Sequence, residues 1–146
     1  MALDIQYAVE GDGLPQQNDI DAWVGCAVAD EGDVELTVRI VSEEESAELN
    51  VRYRGRSGAT NVLSFPFDCP PDVSLSLLGD VVICAPIVRQ QAAEQGKSET
   101  AHWAHLVIHG VLHLLGYDHL EEAQAEVMEA REIMLLDRLG YANPYQ

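Results

Sequence analysis

The sequence predicts an α+β fold in which a small mixed β-sheet packs with several helices. Two observations carry this. Short runs of alternating, β-branched residues fall before residue 85, and capped helical patterns dominate after it. One helical pattern is inserted early, and strands first with helices last is the order of an α+β chain rather than a doubly wound sheet.

The elements follow in order. LDIQYA at 3–8 reads as a strand, and Asn18 or Asp19 can cap a helix whose apolar face is Ile20, Trp23, Val24 and Ala27. VELTVRIV at 34–41 alternates and is β-branched, which makes a second strand. Ser42 with Glu45 forms a capping box for a helix through EEESAELNVRYR that ends near Gly55. After the turn-rich SGAT, NVLSFPF at 61–67 is a strand that Pro66 confines to an edge, and residues 78–84 form a further apolar strand. Pro86 suits the first turn of a helix through Arg89 to Gln95, closed by Gly96. Ser98 opens a long apolar helix that Gly116 stops. Asp118 with Glu121 offers a second capping box for a last helix, with Val127, Met128, Met134, Leu135 and Leu139 inward and Gly140 at its end.

With 146 residues, 47% of them apolar, and no linker or repeat, residues 1–146 are expected to form one domain. No run is long and apolar enough for a membrane helix, and MALDIQYAVEGD lacks the pattern of a secretory signal, so a cytoplasmic location with no membrane contact is expected. Cys26, Cys69 and Cys84 are too scattered for a disulfide framework or a thiolate zinc site, and read as reduced thiols. A net charge of -17 argues against a general nucleic-acid binder, yet Arg52, Arg54 and Arg56 crowd into VRYRGRSG and make a local basic patch.

All five histidines lie between residues 102 and 119. Positions 105, 109 and 113 share one helical stripe, but eight residues of helix span about 12 Å, so one ion takes at most two neighbours from it. His109 and His113 stand nearest the helix end, and a reversal at Gly116 can return His119 to the same ion. Three neutral imidazoles form the ligand set of a catalytic rather than a closed structural zinc, and an ion so held lowers the pKa of bound water toward about 7. His102 and His105 read as packed or hydrogen-bonded helix residues. The expected site therefore lies in a cleft at the end of the long central helix.

The spacing HxxxHxxGxxH is also the metal-binding skeleton of metzincin proteases, HExxHxxGxxH, but Gly110 stands where those enzymes carry their general base. Peptide hydrolysis is thereby disfavoured. A phosphodiester cleaver needs instead a cation for the charge that develops on phosphate oxygens, and Arg54 in RGRSGATN is the candidate.

HGVLHLLGYDH at 109–119, YRGRSGATNVLSFPF at 53–67, LLGDVVIC at 77–84 and the trailing MEAREIMLLDRLGYANPY together resemble the bacterial YbeY family of rRNA maturation factors, from about residue 40 to the end. The resemblance implies a zinc-dependent, single-strand-specific endoribonuclease acting in 3' end maturation of 16S rRNA and in ribosome quality control. It implies one zinc ion on His109, His113 and His119, with catalytic roles for His109 and Arg54, and with Arg52 and Arg56 beside Arg54 in substrate binding. The implied partners are a single-stranded rRNA precursor and small-subunit ribosomal proteins or an assembly GTPase. No nucleotide cofactor is expected. The alternatives are a non-catalytic zinc-containing assembly factor and a metzincin-like metallohydrolase.

Overall fold

The structure is a computed structural model and describes residues 1–67 and 76–146. Among these residues four strands, β1 (Ala2–Tyr7), β2 (Glu35–Val41), β3 (Val62–Pro66) and β4 (Leu77–Cys84), make one sheet in the order β1-β2-β4-β3. β1, β2 and β4 run parallel, and only β3 is antiparallel to its neighbour. The fold is α+β with a mixed sheet, as the patterning predicted. β3 is an edge strand, and Pro66 sits at its last position, where a missing N–H costs least.

The helices are α1 (Gln17–Ala27), α2 (Glu43–Arg54), α3 (Ala85–Gln95), α4 (Glu99–Leu114) and α5 (Glu122–Arg138). The period-2 alternation of the strands sorts them between two cores. Val38, Ile40, Val81 and Ile83 face α1 and α4, in a cluster that also takes Trp103, Ile108, Val111, Leu112, Met128 and Leu135. Val41, Leu63, Val82 and Cys84 face the other way, with Leu49 of α2 and Ile87 of α3. α4 is therefore buried on nearly every side, and its apolar composition follows from that position. Among the described residues no helix is long and apolar enough to cross a membrane.

Two expected caps and one expected face differ in the structure. The N-cap of the first helix is Gln16 rather than Asn18 or Asp19, and it makes no side-chain cap hydrogen bond. The box of Asp118 and Glu121 does not form: Glu121 is itself the N-cap of α5, and the Asp118 carboxylate accepts the N–H of His119 at 2.7 Å instead. Val127 and Met134 point outward, while Met128, Glu132, Leu135 and Leu136 form the buried face of α5. The Ser42 cap is present, accepting the N–H of Glu45 at 3.2 Å. Cys26 and Cys84 carry free thiols, and Cys69 lies outside the described residues.

Candidate metal centre

α4 ends in a tight reversal. Gly116 adopts φ +100, a region that side-chain-bearing residues rarely enter, and the N–H groups of Gly116 and Tyr117 close on the carbonyls of His113 and Leu112 at 3.1 and 3.0 Å. That turn brings His119 back over the helix end. The ring centroids of His109 and His119 lie 5.5 Å apart and those of His113 and His119 4.8 Å apart. One ligating nitrogen from each of the three falls within 4.8 Å of the others, so this group is able to hold a metal ion.

The geometry of the pair on the helix is tighter. His109 Nε2 and His113 Nε2 are 3.2 Å apart. Two nitrogens bound at about 2 Å to a tetrahedral ion stand about 3.3 Å apart, so the spacing suits shared ligation. Burial, then the neighbouring His109 and His119, lowers the pKa of His113 and favours the neutral imidazole a metal requires.

Glu132, from the middle of α5, has no solvent exposure. Its Oε1 lies 2.5 Å from His109 Nδ1 and its Oε2 lies 2.8 Å from His105 Nε2, while the Tyr145 hydroxyl donates to Oε2 as well. A carboxylate can only accept, so His109 carries its proton on Nδ1 and presents a lone pair from Nε2 toward His113. Burial alone would raise the Glu132 pKa, but the hydrogen bonds from His105, His109 and Tyr145 outweigh it and hold the carboxyl at about 2.

A cleft of about 190 Å³ opens over the three histidines, lined by Arg54, Thr60, Asn61 and Ser64 as well. Arg54 comes from the end of α2, which Gly55 stops with φ 66. The structure thus brings Arg54 to the histidines across the sheet edge. Arg52 and Arg56 are exposed and do not line the cleft; the Arg52 guanidinium lies 6.0 Å from the Tyr53 ring. A larger cavity of about 410 Å³ lies at the other end of α4, near His102, His105 and the chain's last residues. The converging imidazoles, rather than size, mark the smaller cleft as the chemical one.

Gly110 faces the sheet. A Cβ there would stand 2.5 Å from Val81 Cγ1 and 3.2 Å from Val62 Cγ2, and the Ser64 hydroxyl donates to the Gly110 carbonyl at 2.9 Å. Any side chain there makes the sheet yield, so a protease-type glutamate is disfavoured in this turn. Residues 16–140 match the family described as Endoribonuclease YbeY. The chain belongs to the YbeY family of endoribonucleases. An endoribonuclease YbeY from Nitrosococcus oceani is 53% identical over 149 residues, covering 100% of this chain and 97% of the relative. The solution structure of a Thermotoga maritima protein matches with a TM-score of 0.60 and 29% identity, over 97% of this chain and 99% of that one. The YbeY relationship agrees with the sequence resemblance, and it extends toward the N-terminus beyond the segment from residue 40 that carried it.

Sequence reasoning missed Glu132 and Tyr145. A signal for Glu132 was present: positions 128, 132, 135, 136 and 139 form one helical stripe, apolar except for that glutamate. For Tyr145, in a tail without regular structure, the sequence carried none.

Proposed function

We propose that residues 1–146 act as one zinc-dependent domain that cleaves single-stranded rRNA precursors, in 3' end maturation of 16S rRNA and ribosome quality control. The supporting observation is the convergence of His109, His113 and His119 with Arg54 in one cleft. In this reading His109, His113 and His119 hold one zinc ion. When bound, the ion supplies Lewis acidity and an activated water.

The protein's own groups supply the rest. Arg54 binds the phosphate and offsets charge on its non-bridging oxygens, with a planar donor fork that matches two of them at once. Thr60, Asn61 and Ser64 give the cleft a polar wall beside the backbone of the bound strand. Arg52 and Arg56 guide RNA toward the cleft from outside it, since both are exposed. The small cleft, about 190 Å³, suits a single strand better than a duplex. With a net charge of -17 the remaining surface repels bulk RNA, so docking onto basic small-subunit ribosomal proteins or an assembly GTPase in the cytoplasm provides recognition.

The test pairs metal analysis with cleavage of single-stranded rRNA precursor. His113→Ala is expected to lose its bound zinc and its cleavage together, whereas Arg54→Ala keeps a full equivalent of zinc and cleaves about 100-fold to 1000-fold more slowly. A full equivalent of zinc on His113→Ala rejects the ligand set, and unchanged cleavage by Arg54→Ala rejects the phosphate role. An assembly factor without catalysis is the outcome if wild type binds zinc but leaves the precursor intact.

A further inference from the structure

We infer that Glu132 is a positioning residue for the metal centre, which fixes the protonation of His109, and that the C-terminal Tyr145 is part of the same device. This rests on the proposed zinc ligation, but it has a geometric basis of its own. The carboxylate has no solvent exposure and touches none of the cleft. Its two oxygens divide the work. Oε1 takes the His109 Nδ1 proton alone, at 2.5 Å, while Oε2 takes two donors, His105 Nε2 at 2.8 Å and the Tyr145 hydroxyl.

The division matters because an imidazole that ligates through Nε2 must carry its proton on Nδ1. Were His109 to hold its proton on Nε2, an N–H would point at His113 Nε2, only 3.2 Å away, and both nitrogens could no longer serve one ion. Acceptance by Glu132 settles this before any metal arrives, and it makes the imidazole more electron-rich as a ligand. The two donors on Oε2 keep the carboxylate from rotating away. One of them comes from residue 145, and Lys97 anchors the neighbouring turn of the tail by donating to the Pro144 carbonyl at 2.5 Å.

Glu132→Gln tests this sharply. Two donors face Oε2 and one faces Oε1, so the amide leaves its oxygen with His105 and Tyr145 and turns its NH2 toward His109. His109 must then accept at Nδ1 and carry its proton on Nε2. Chelator competition is expected to show zinc binding about 10-fold to 100-fold weaker than wild type. Long-range proton-nitrogen spectra of metal-free protein near neutral pH are expected to show His109 protonated on Nδ1 in wild type and on Nε2 in the variant. A purely structural role would lower thermal stability and move neither reading. In folded Glu132→Gln, an unchanged tautomer or an unchanged zinc affinity overturns the inference. If the variant does not fold, the wild-type spectrum decides: an Nε2 proton on His109 overturns it and an Nδ1 proton supports it. If wild type binds no zinc, the ligand reading fails separately and the tautomers of wild type and variant still decide the role of Glu132.

Discussion

The two ends of the histidine stripe on α4 use the same residue for opposite purposes. At the inner end His102 is 4% exposed, with its Nε2 on Gln91 Oε1 at 2.9 Å, and His105 hydrogen-bonds Glu132. At the outer end His109, His113 and His119 each turn one ring nitrogen toward a common point, with His109 Nε2 and His113 Nε2 3.2 Å apart. Buried polar groups are normally satisfied by the protein, and the inner pair obeys that rule at Nε2. The outer trio instead turns one nitrogen of each ring toward a cleft that also holds Arg54. Three basic nitrogens converge there on a space a cation can fill, so the convergence rather than the histidine count separates site from scaffold.

Removing one histidine at each end is the strongest way to break this contrast. His119→Ala is expected to weaken zinc binding by more than about 100-fold, beyond the usual range for groups outside the ligand set. His105→Ala keeps a full equivalent of zinc and changes affinity by less than about tenfold, since Tyr145 still holds Oε2. Chelator competition on both variants measures the two effects side by side. Equal losses would mean that the stripe acts as one unit, and the distinction drawn between its ends would fall.

A pH titration sharpens the inner end. Burial, then the nearby His105 and Lys97, lowers the His102 pKa from the ordinary 6.5 to about 4. Between those values the unfolded chain binds a proton that the folded protein refuses. The stability that His102 lends by staying neutral is therefore complete above pH 6.5 and declines as pH falls toward 4. The loss across that window is on the order of a few kcal/mol. Denaturant unfolding of metal-free protein across this window is expected to slope more gently for His102→Gln than for wild type. Parallel slopes would place the acid sensitivity in another group.

Much of this was legible in the sequence, for a physical reason. Alternation and capping are local, so the strands, the Ser42 cap and the reversal at Gly116 could be read from neighbours in the chain. The trio was legible because two ligands sit one helical turn apart and the third follows a glycine. The burial of Glu132 was legible from its helical stripe but its partners were not, because they lie 13, 23 and 27 residues away and meet it only in the folded chain. The Asp118 box failed for a related reason. The local pattern was sound, but the turn carrying His119 uses that carboxylate for the His119 N–H. The inward face assigned to α5 went wrong at Val127 and Met134, where hydrophobicity alone was followed and the stripe through Glu132 was not.

Gly110 joins the two ends, and its substitution gives the smallest of these effects. In the sequence it read as a missing protease base, a statement about chemistry. In the structure it is a packing residue that lets α4 lie against β3 and β4, with Val81 and Val62 where a Cβ would go. Gly110→Ala adds one methyl group that the sheet must yield to, and overpacking of this kind costs about 1 to 3 kcal/mol. Part of that is offset because alanine favours the helix by about 1 kcal/mol over glycine. The expected net loss is therefore about 0 to 2 kcal/mol by thermal or denaturant unfolding, with zinc stoichiometry unchanged. A variant that keeps its stability but loses zinc would show that this residue serves the site directly. A stability loss with full zinc retention would place the absence of a glutamate here in helix packing, leaving the choice of substrate to Arg54 and the cleft around it.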